Sequence, residues 1–397
     1  MKLRVVLLLV ITGMISILSC RKPFAPVIVG GVPNYLVVDG VINSGPDSTY
    51  IKLSRTTRLG NHIKAAPEAG ALVTVEGETG DNYTLTEDPK IPGVYVYNGL
   101  NLPANKKYHL HIVTSNGRNY LSDFTPNKLT PDIDSISYTY QKNGVQFFVN
   151  THDNTNNTRY YRWDYEETWS YFSVLNSQID YKNHQVVVRR ADSLVNACYR
   201  HATPSNSIFV GTSNKLAKDV ISLHALGYVD AATGKISHVY SLLVKQYAIS
   251  PEAYNFWEAL KKNTEQLGSV FDAQPSTSRG NIHCTTDANE PVIGYISVST
   301  IKTKRIFISG RDLPFYVPSY VGPPDKGDCG GGVILLEPAY TLQQRLDFSL
   351  ASRDSTLVAY VEDLATFKLI GYSYPATPCV DCRVLGGTNI KPSYWPY

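Results

Sequence analysis

A run of short apolar stretches, each closed by turn residues, begins at Tyr35 and constrains this chain more than any other feature. Residues 35–42 (YLVVDGVI) read as a buried strand, 43–47 (NSGPD) as a turn and 49–53 as an alternating strand. Further strands are expected at 71–75, 83–85, 93–97, 108–113 and 119–121, with Gly80-Asp81-Asn82 and Asn116-Gly117 as turns. Side chains on a strand alternate between two faces, and Asn-Gly supplies the positive φ that a tight hairpin needs. About seven such strands predict an immunoglobulin-like β-sandwich over 34–124, without the Cys…Trp…Cys core of antibody domains. The 28 tyrosines favour strand over helix.

The segment from Phe124 to Pro131 reads as a boundary, rich in proline and turn formers. A second β-run follows at 136–140, 145–149 and 160–165, and opens a larger β-rich domain over 131–397. One helix is expected over 250–267, on the flank of that domain. Ser250 is its N-cap, Pro251 takes the first position where no N–H is needed, and Glu252 complements the dipole. Ala253, Phe256, Trp257 and Leu260 recur at helical spacing, and Gly268 closes the helix. Strands resume at 292–298 and 305–308. Beyond Pro314 the pattern weakens into a Gly/Pro-rich, cysteine-containing tail, where 335–336 and 357–361 remain as apolar strand candidates.

The first residues carry a different signal. Lys2 and Arg4 precede an uncharged apolar stretch from Val5 to Leu18, shorter than the ~20 residues a comfortable membrane span requires. It ends in Ile17-Leu18-Ser19-Cys20, the pattern of a lipobox: an aliphatic residue at −3, a small one at −1 and an obligatory Cys. Residues 1–19 are therefore expected to be a signal peptide, Cys20 the lipidation site and 20–33 a tether. Two or three acyl chains would make such anchoring stable. A net charge of +3 with scattered basic residues offers no clustered face for nucleic acid. Export also places the other cysteines in oxidising surroundings.

Several residues in the second half come in a familiar order. They include Tyr247-Ala248-Ile249-Ser250-Pro251-Glu252-Ala253-Tyr254, Phe256-Trp257, Gly268-Ser269-Val270-Phe271-Asp272, Gln274-Pro275, Gly280-Asn281-Ile282 and Gly294-Tyr295. The tail adds Cys379-Val380-Asp381-Cys382-Arg383, Gly386-Gly387-Thr388-Asn389 and Lys391-Pro392. As a set they resemble the domain-of-unknown-function family 4249, uncharacterised envelope lipoproteins. The resemblance implies a Bacteroidota-type envelope and the company of TonB-dependent outer-membrane transporters. It implies no activity and no catalytic residues.

Three groups invite a chemical reading. The Gly327-Asp328-Cys329-Gly330-Gly331-Gly332 run is similar to a protease nucleophile loop with Cys in place of Ser, but no histidine base motif accompanies it. His109 and His111 share a strand face, a spacing able to bind a metal; no third ligand is evident, so polar surface is the plainer reading and no metal is expected. Tyr161, Trp163, Tyr165 and Trp169 are candidate ligand-stacking aromatics on one strand, although core packing explains them as well.

Five cysteines remain after Cys20, an odd number, so at least one is unpaired or bonded to another molecule. Cys329, Cys379 and Cys382 are the disulfide candidates, with the CxxC pair oxidised either internally or through one member joined to Cys329. Cys284 is the expected free thiol. Taken together, these readings point to a lipid-anchored outer-membrane protein, facing either leaflet. It would be a non-enzymatic binding or accessory module that uses no cofactor and serves a transporter. The alternative is an envelope hydrolase built on the Cys329 loop.

Overall fold

A computed structural model describes residues 34–57, 65–204, 207–265, 279–318, 329, 331–337, 341–350 and 354–396. The expected signal peptide, Cys20 and the tether lie outside these residues, as do Gly268 and residues 327, 328 and 330 of the Gly-rich run around Cys329. The protein is mainly β, with two α-helices, Pro251–Glu265 and Leu342–Leu350, among the described residues.

The first sheet begins with Leu36–Asn43 and Ser48–Arg55, which pair antiparallel with Val38 opposite Leu53. Its path continues through Val94–Asn98, Asn82–Glu87, Leu72–Gly77, Lys107–Val113 and Asn119–Ser122. Only two residue pairs, Thr86 with Val96 and Glu87 with Tyr95, link the two arms of this path. Leu36, Val38, Ile51 and Leu53 from one arm share a single core with Val73, Val75, Leu110 and Ile112 from the other. The sheet therefore folds over on itself into two layers. Tyr108, Leu110 and Ile112 are fully buried, as their alternation along the strand requires.

Residues 281–299 fall within the stretch assigned from sequence to the second domain, yet they complete the first sheet. Ile282–Cys284 pairs with Asn119–Ser122, and Val298–Ser299 runs parallel to Leu36–Asn43. Much of the strand expected at 292–298 is irregular chain, hydrogen-bonded from Ile293 to Leu36 and Val38. Gly294, at φ +133°, lets it approach the backbone of Val38, where any Cβ would collide with the carbonyl. Arg55 fixes the same segment: it bonds Glu68 and reaches Glu290 at 3.3 Å, while Tyr120 donates to Glu290 at 2.8 Å.

The second unit is two sheets facing across one core. One contains Ile133–Gln141, Gly144–Asp153 and Asp219–Asp230. The other is built on Tyr160–Phe172, flanked by Val239–Ala248 on one side and by Phe209–Thr212 and Ala197–Ala202 on the other, with Ile301–Ser309 beyond Val239–Ala248. Phe147, Val145 and Val149 from the first of these sheets meet Trp163, Tyr161, Tyr240 and Val244 from the second. The anticipated helix forms, with the Ser250 hydroxyl accepting from the Ala253 N–H at 3.2 Å as an N-cap does. Ala253 and Phe256 are buried beneath it.

Beyond Pro314, a region that sequence patterning left unresolved, a third sheet forms. Gly331–Leu335 and Ala359–Glu362 flank Leu369–Pro375. The helix Leu342–Leu350, absent from the sequence expectation of a single flanking helix, packs with it. Leu346 joins Ile334 and Leu357 in a small core that also takes in Ile179 from the hairpin Ile179–Lys182/Gln185–Val188. The last residues then run along the second unit: Tyr199 and Thr388 exchange backbone bonds, Arg305 lies 3.7 Å from the Tyr394 ring centre, and Trp395 packs on Tyr199 and Phe307.

Candidate functional site

The strand Tyr160–Phe172 sends alternate residues to opposite faces, and this parity decides the fate of the candidate aromatics. Tyr161 and Trp163 are 0% exposed, Trp169 3% and Tyr165 8%. All four lie in the core, so the reading of them as ligand-stacking groups is corrected. The Trp163 indole donates to Gln246 at 2.7 Å, the Tyr161 hydroxyl donates to the buried Asp219 at 2.8 Å, and Trp169 lies under Lys235 and Arg200. Burial next to that carboxylate pushes the Tyr161 hydroxyl far above its ordinary range.

The intervening residues, Arg162, Asp164 and Glu166, point outward into a cleft of about 1410 Å³ between the first and second units. Register builds its floor: Arg162 stands beside Tyr247 and then Ile301, and Asp164 beside Lys245 and then Thr303. One wall is the outer face of the first sheet, with Asp39, Tyr50 and Lys52; the other is the helix face carrying Trp257, Leu260 and Thr264. The Arg162 guanidinium lies 4.1 Å from the Trp257 ring centre and 5.5 Å from that of Tyr247, while its Nη2 holds both Asp164 oxygens at 3.0–3.1 Å. Stacking and bidentate pairing together fix a planar cation that water would otherwise leave mobile. Lys245 pairs with Glu166, so the second floor cation is also neutralised. The Trp257 indole nitrogen is buried and has no hydrogen-bond partner. Sequence reading missed this cleft because it followed the aromatic parity of the strand. The complementary charged parity at 162, 164 and 166 was the available signal.

His109 and His111 do not form a solvated pair. His109 is 8% exposed, stacks on Phe124 at 4.1 Å and bonds Glu76 at 3.1 Å; His111 reaches the other Glu76 oxygen at 2.7 Å. The two histidines hold the Glu76 carboxyl below its usual range against the opposing effect of burial. Among the described residues no three His, Cys, Asp or Glu side chains assemble into a metal-binding group.

Cys329 is bonded to Cys379, and Cys382 to Cys198. The two members of the CxxC thus go to different partners, and Cys198, which the sequence reading left unassigned, closes the larger loop. A sulfur held in a disulfide has no thiolate to offer, which removes the nucleophile from the hydrolase alternative. Cys284 is a free, buried thiol, 3.2 Å from the Thr286 hydroxyl.

The model of a family described as "Domain of unknown function (DUF4249)" matches residues 21–305. No curated protein matches the chain. Among solved structures, a Bacteroides uniformis ATCC 8492 protein, described there provisionally as carbohydrate binding, is 11% identical and covers 55% of this chain and 91% of its own, with a TM-score of 0.15. The FN1–FN3 domains of chicken CNTN1 are 14% identical over 54% of this chain and 63% of theirs, with a TM-score of 0.16. The chicken interferon gamma receptor alpha chain is 6% identical over 54% and 90%, with a TM-score of 0.15. Superpositions this poor carry no argument about fold or ligand.

Proposed function

The chain belongs to the DUF4249 family, and from that premise we propose that it is a non-enzymatic binding module of the cell envelope. Cys20 carries its lipid anchor, and an outer-membrane transporter is the partner it serves. The first unit is taken as an immunoglobulin-like sandwich over 34–124, joined by the later segment 281–299.

The observation that carries the binding reading is the cleft between the two β units. Its volume exceeds the ~300–1,000 Å³ of an ordinary small-molecule pocket, which leaves room for a ligand larger than a drug-sized molecule. Its lining mixes apolar side chains with charges that are largely paired: Arg162 is held by Asp164 and Lys245 by Glu166, and Lys52 stands opposite Asp39 in the sheet register. Among the described lining residues the four carboxylates Asp39, Asp47, Asp164 and Glu166 outnumber the three cations, which disfavours a phosphate or carboxylate ligand. Fixed carboxylate and guanidinium edges, with the half-exposed Tyr50 ring on the facing wall, suit an uncharged ligand rich in hydrogen-bonding groups.

Native mass spectrometry of the lipoprotein purified from its own envelope tests this reading. The wild type should retain a ligand that Thr303→Trp, which fills the cleft floor from an exposed position, releases. Equal retention by both proteins would overturn the cleft as the binding site. Fatty-acid labelling tests the anchor: Cys20→Ala should abolish it, and equal labelling of both proteins would refute lipidation at Cys20.

A further inference from the structure

We propose that the hairpin between Ala359–Glu362 and Leu369–Pro375 is a lipid-contacting site, separate from the cleft. Its tip reads Asp363-Leu364-Ala365-Thr366-Phe367-Lys368. Leu364 is 93% exposed and Phe367 79%, so both project from the surface with almost no protein around them. Scattered apolar residues on a surface need no explanation; two large ones side by side at a protruding tip do.

The tip is built to hold them there. Asp363 accepts from the N–H groups of Ala365 at 3.1 Å and Thr366 at 2.8 Å and from the Thr366 hydroxyl at 2.8 Å. Its own carbonyl accepts from the Phe367 N–H at 2.8 Å, and its N–H donates to Lys368 at 2.9 Å. The acid is thus consumed inside the turn. Phe367 sits at φ +53°, where glycine or asparagine would be relaxed and a bulky aromatic is not. The bonds that close the turn are made by the backbone of Phe367 and by Asp363, and the ring itself stands in water. Leu369 and Ile370, each more than a third exposed, extend the apolar surface at the base, and Lys368 is exposed beside it.

Shape selects the occupant. A convex tip of two side chains falls far short of the ~800 Å² per partner that a stable protein interface buries. A bilayer imposes no shape requirement: the two apolar side chains enter the headgroup boundary and carry the contact, since the exposed Lys368 is offset by the exposed Glu362.

The test uses the full mature chain with Cys20→Ala, so that no acyl chain contributes, and vesicles of phosphatidylethanolamine and phosphatidylglycerol. Flotation should show vesicle binding that weakens on the order of 30-fold in Leu364→Ser/Phe367→Ser. Both positions are exposed, so the variant keeps its fold, checked by protection of the buried Cys284 thiol from alkylation under native conditions. A second variant, Phe367→Trp, should shift its emission to the blue when vesicles are added. Equal flotation of parent and double variant, absence of flotation in both, an unshifted emission of the Phe367→Trp variant, or capture of a protein at the tip in place of vesicles would each overturn the proposal.

Discussion

Replacing Cys198 and Cys382 together by alanine removes the bridge that closes the longest loop in the described structure, and its cost follows from chain entropy. The sequence separation is 184 residues, which corresponds to about 5 kcal/mol of lost constraint on the unfolded chain at 25 °C; the 50-residue loop of Cys329 and Cys379 corresponds to about 4 kcal/mol. The inner bridge shortens the outer loop, but the dependence on length is logarithmic and the figure barely changes. Enthalpic effects at the site are small. Cys198 is 1% exposed and Cys382 0%, so alanine leaves small apolar voids and no stranded polar group. The Cys382 N–H still donates to Val195, and the Tyr171 hydroxyl still donates to the carbonyl of residue 382. The double variant should therefore unfold at clearly lower urea concentration, read by the fluorescence of Trp163 and Trp169 in the core of the same unit. Cys284→Ala is the internal control: it removes a buried thiol but no cross-link, and should cost about 1 kcal/mol. An unfolding midpoint of the double variant equal to wild type, or a Cys284→Ala loss as large as the double variant's, would refute the reasoning.

Two further outcomes are expected. Asp153 accepts from the N–H groups of Thr155, Asn157 and Thr158 and from two threonine hydroxyls, which bring its pKa down to about 2 from 3.8. A depressed folded-state value stabilises above the unfolded one, so about 1–2 kcal/mol present above pH ~4 should vanish as pH falls toward 2, and Asp153→Asn should lose that dependence in acid titrations of stability. Arg55→Leu leaves Glu68 without its cation and leaves the almost fully buried Glu290 with Arg118 and Tyr120 alone, and should cost about 3 kcal/mol by denaturant unfolding. Arg55→Leu with Glu290→Leu should recover part of that loss, and strict additivity of the two would contradict the pairing.

The strands of the first unit were legible because one face of each is buried, so Leu36, Val38, Ile51, Leu53, Leu110 and Ile112 alternate with exposed or partly exposed residues. The helix at Pro251 was legible from its cap, a local signal. The return of 281–299 to the first sheet was not, because pairing across some 160 residues leaves no periodic mark; only Gly280 and Gly294 hinted at close backbone approach. The third sheet escaped because its strands are short and expose Val333, Leu335, Leu369 and Ile370, which blurs the alternation. At the cleft the sequence placed the right strand but the wrong face. A row of Tyr-x-Trp-x-Tyr draws attention to itself, and two-sided burial versus one-sided burial cannot be told from one strand alone. The His109–Glu76 contact was hidden for the same reason, since it joins neighbouring strands across 33 residues.

The boundary at 126–131, read from sequence as a joint, is pinned on both sides. Lys128 donates to Val298 and accepts from Thr300, each at 3.0 Å, and the Thr130 N–H donates to the Thr300 hydroxyl at 2.8 Å. The Thr130 hydroxyl donates to the Thr300 carbonyl and accepts from the Ala248 N–H, while the Pro131 carbonyl accepts from Gln246. Thr300 itself is the single residue between Val298–Ser299 in the first sheet and Ile301–Ser309 in the second unit. Two of the chain's crossings between the units are therefore bonded to each other here, and a rotation of one unit against the other would break these bonds. The cleft lies beside this junction, with Ile301 in its floor. Its walls are accordingly held at fixed separation before any ligand arrives. That arrangement lowers the ordering cost of binding, as the proposed binding module requires.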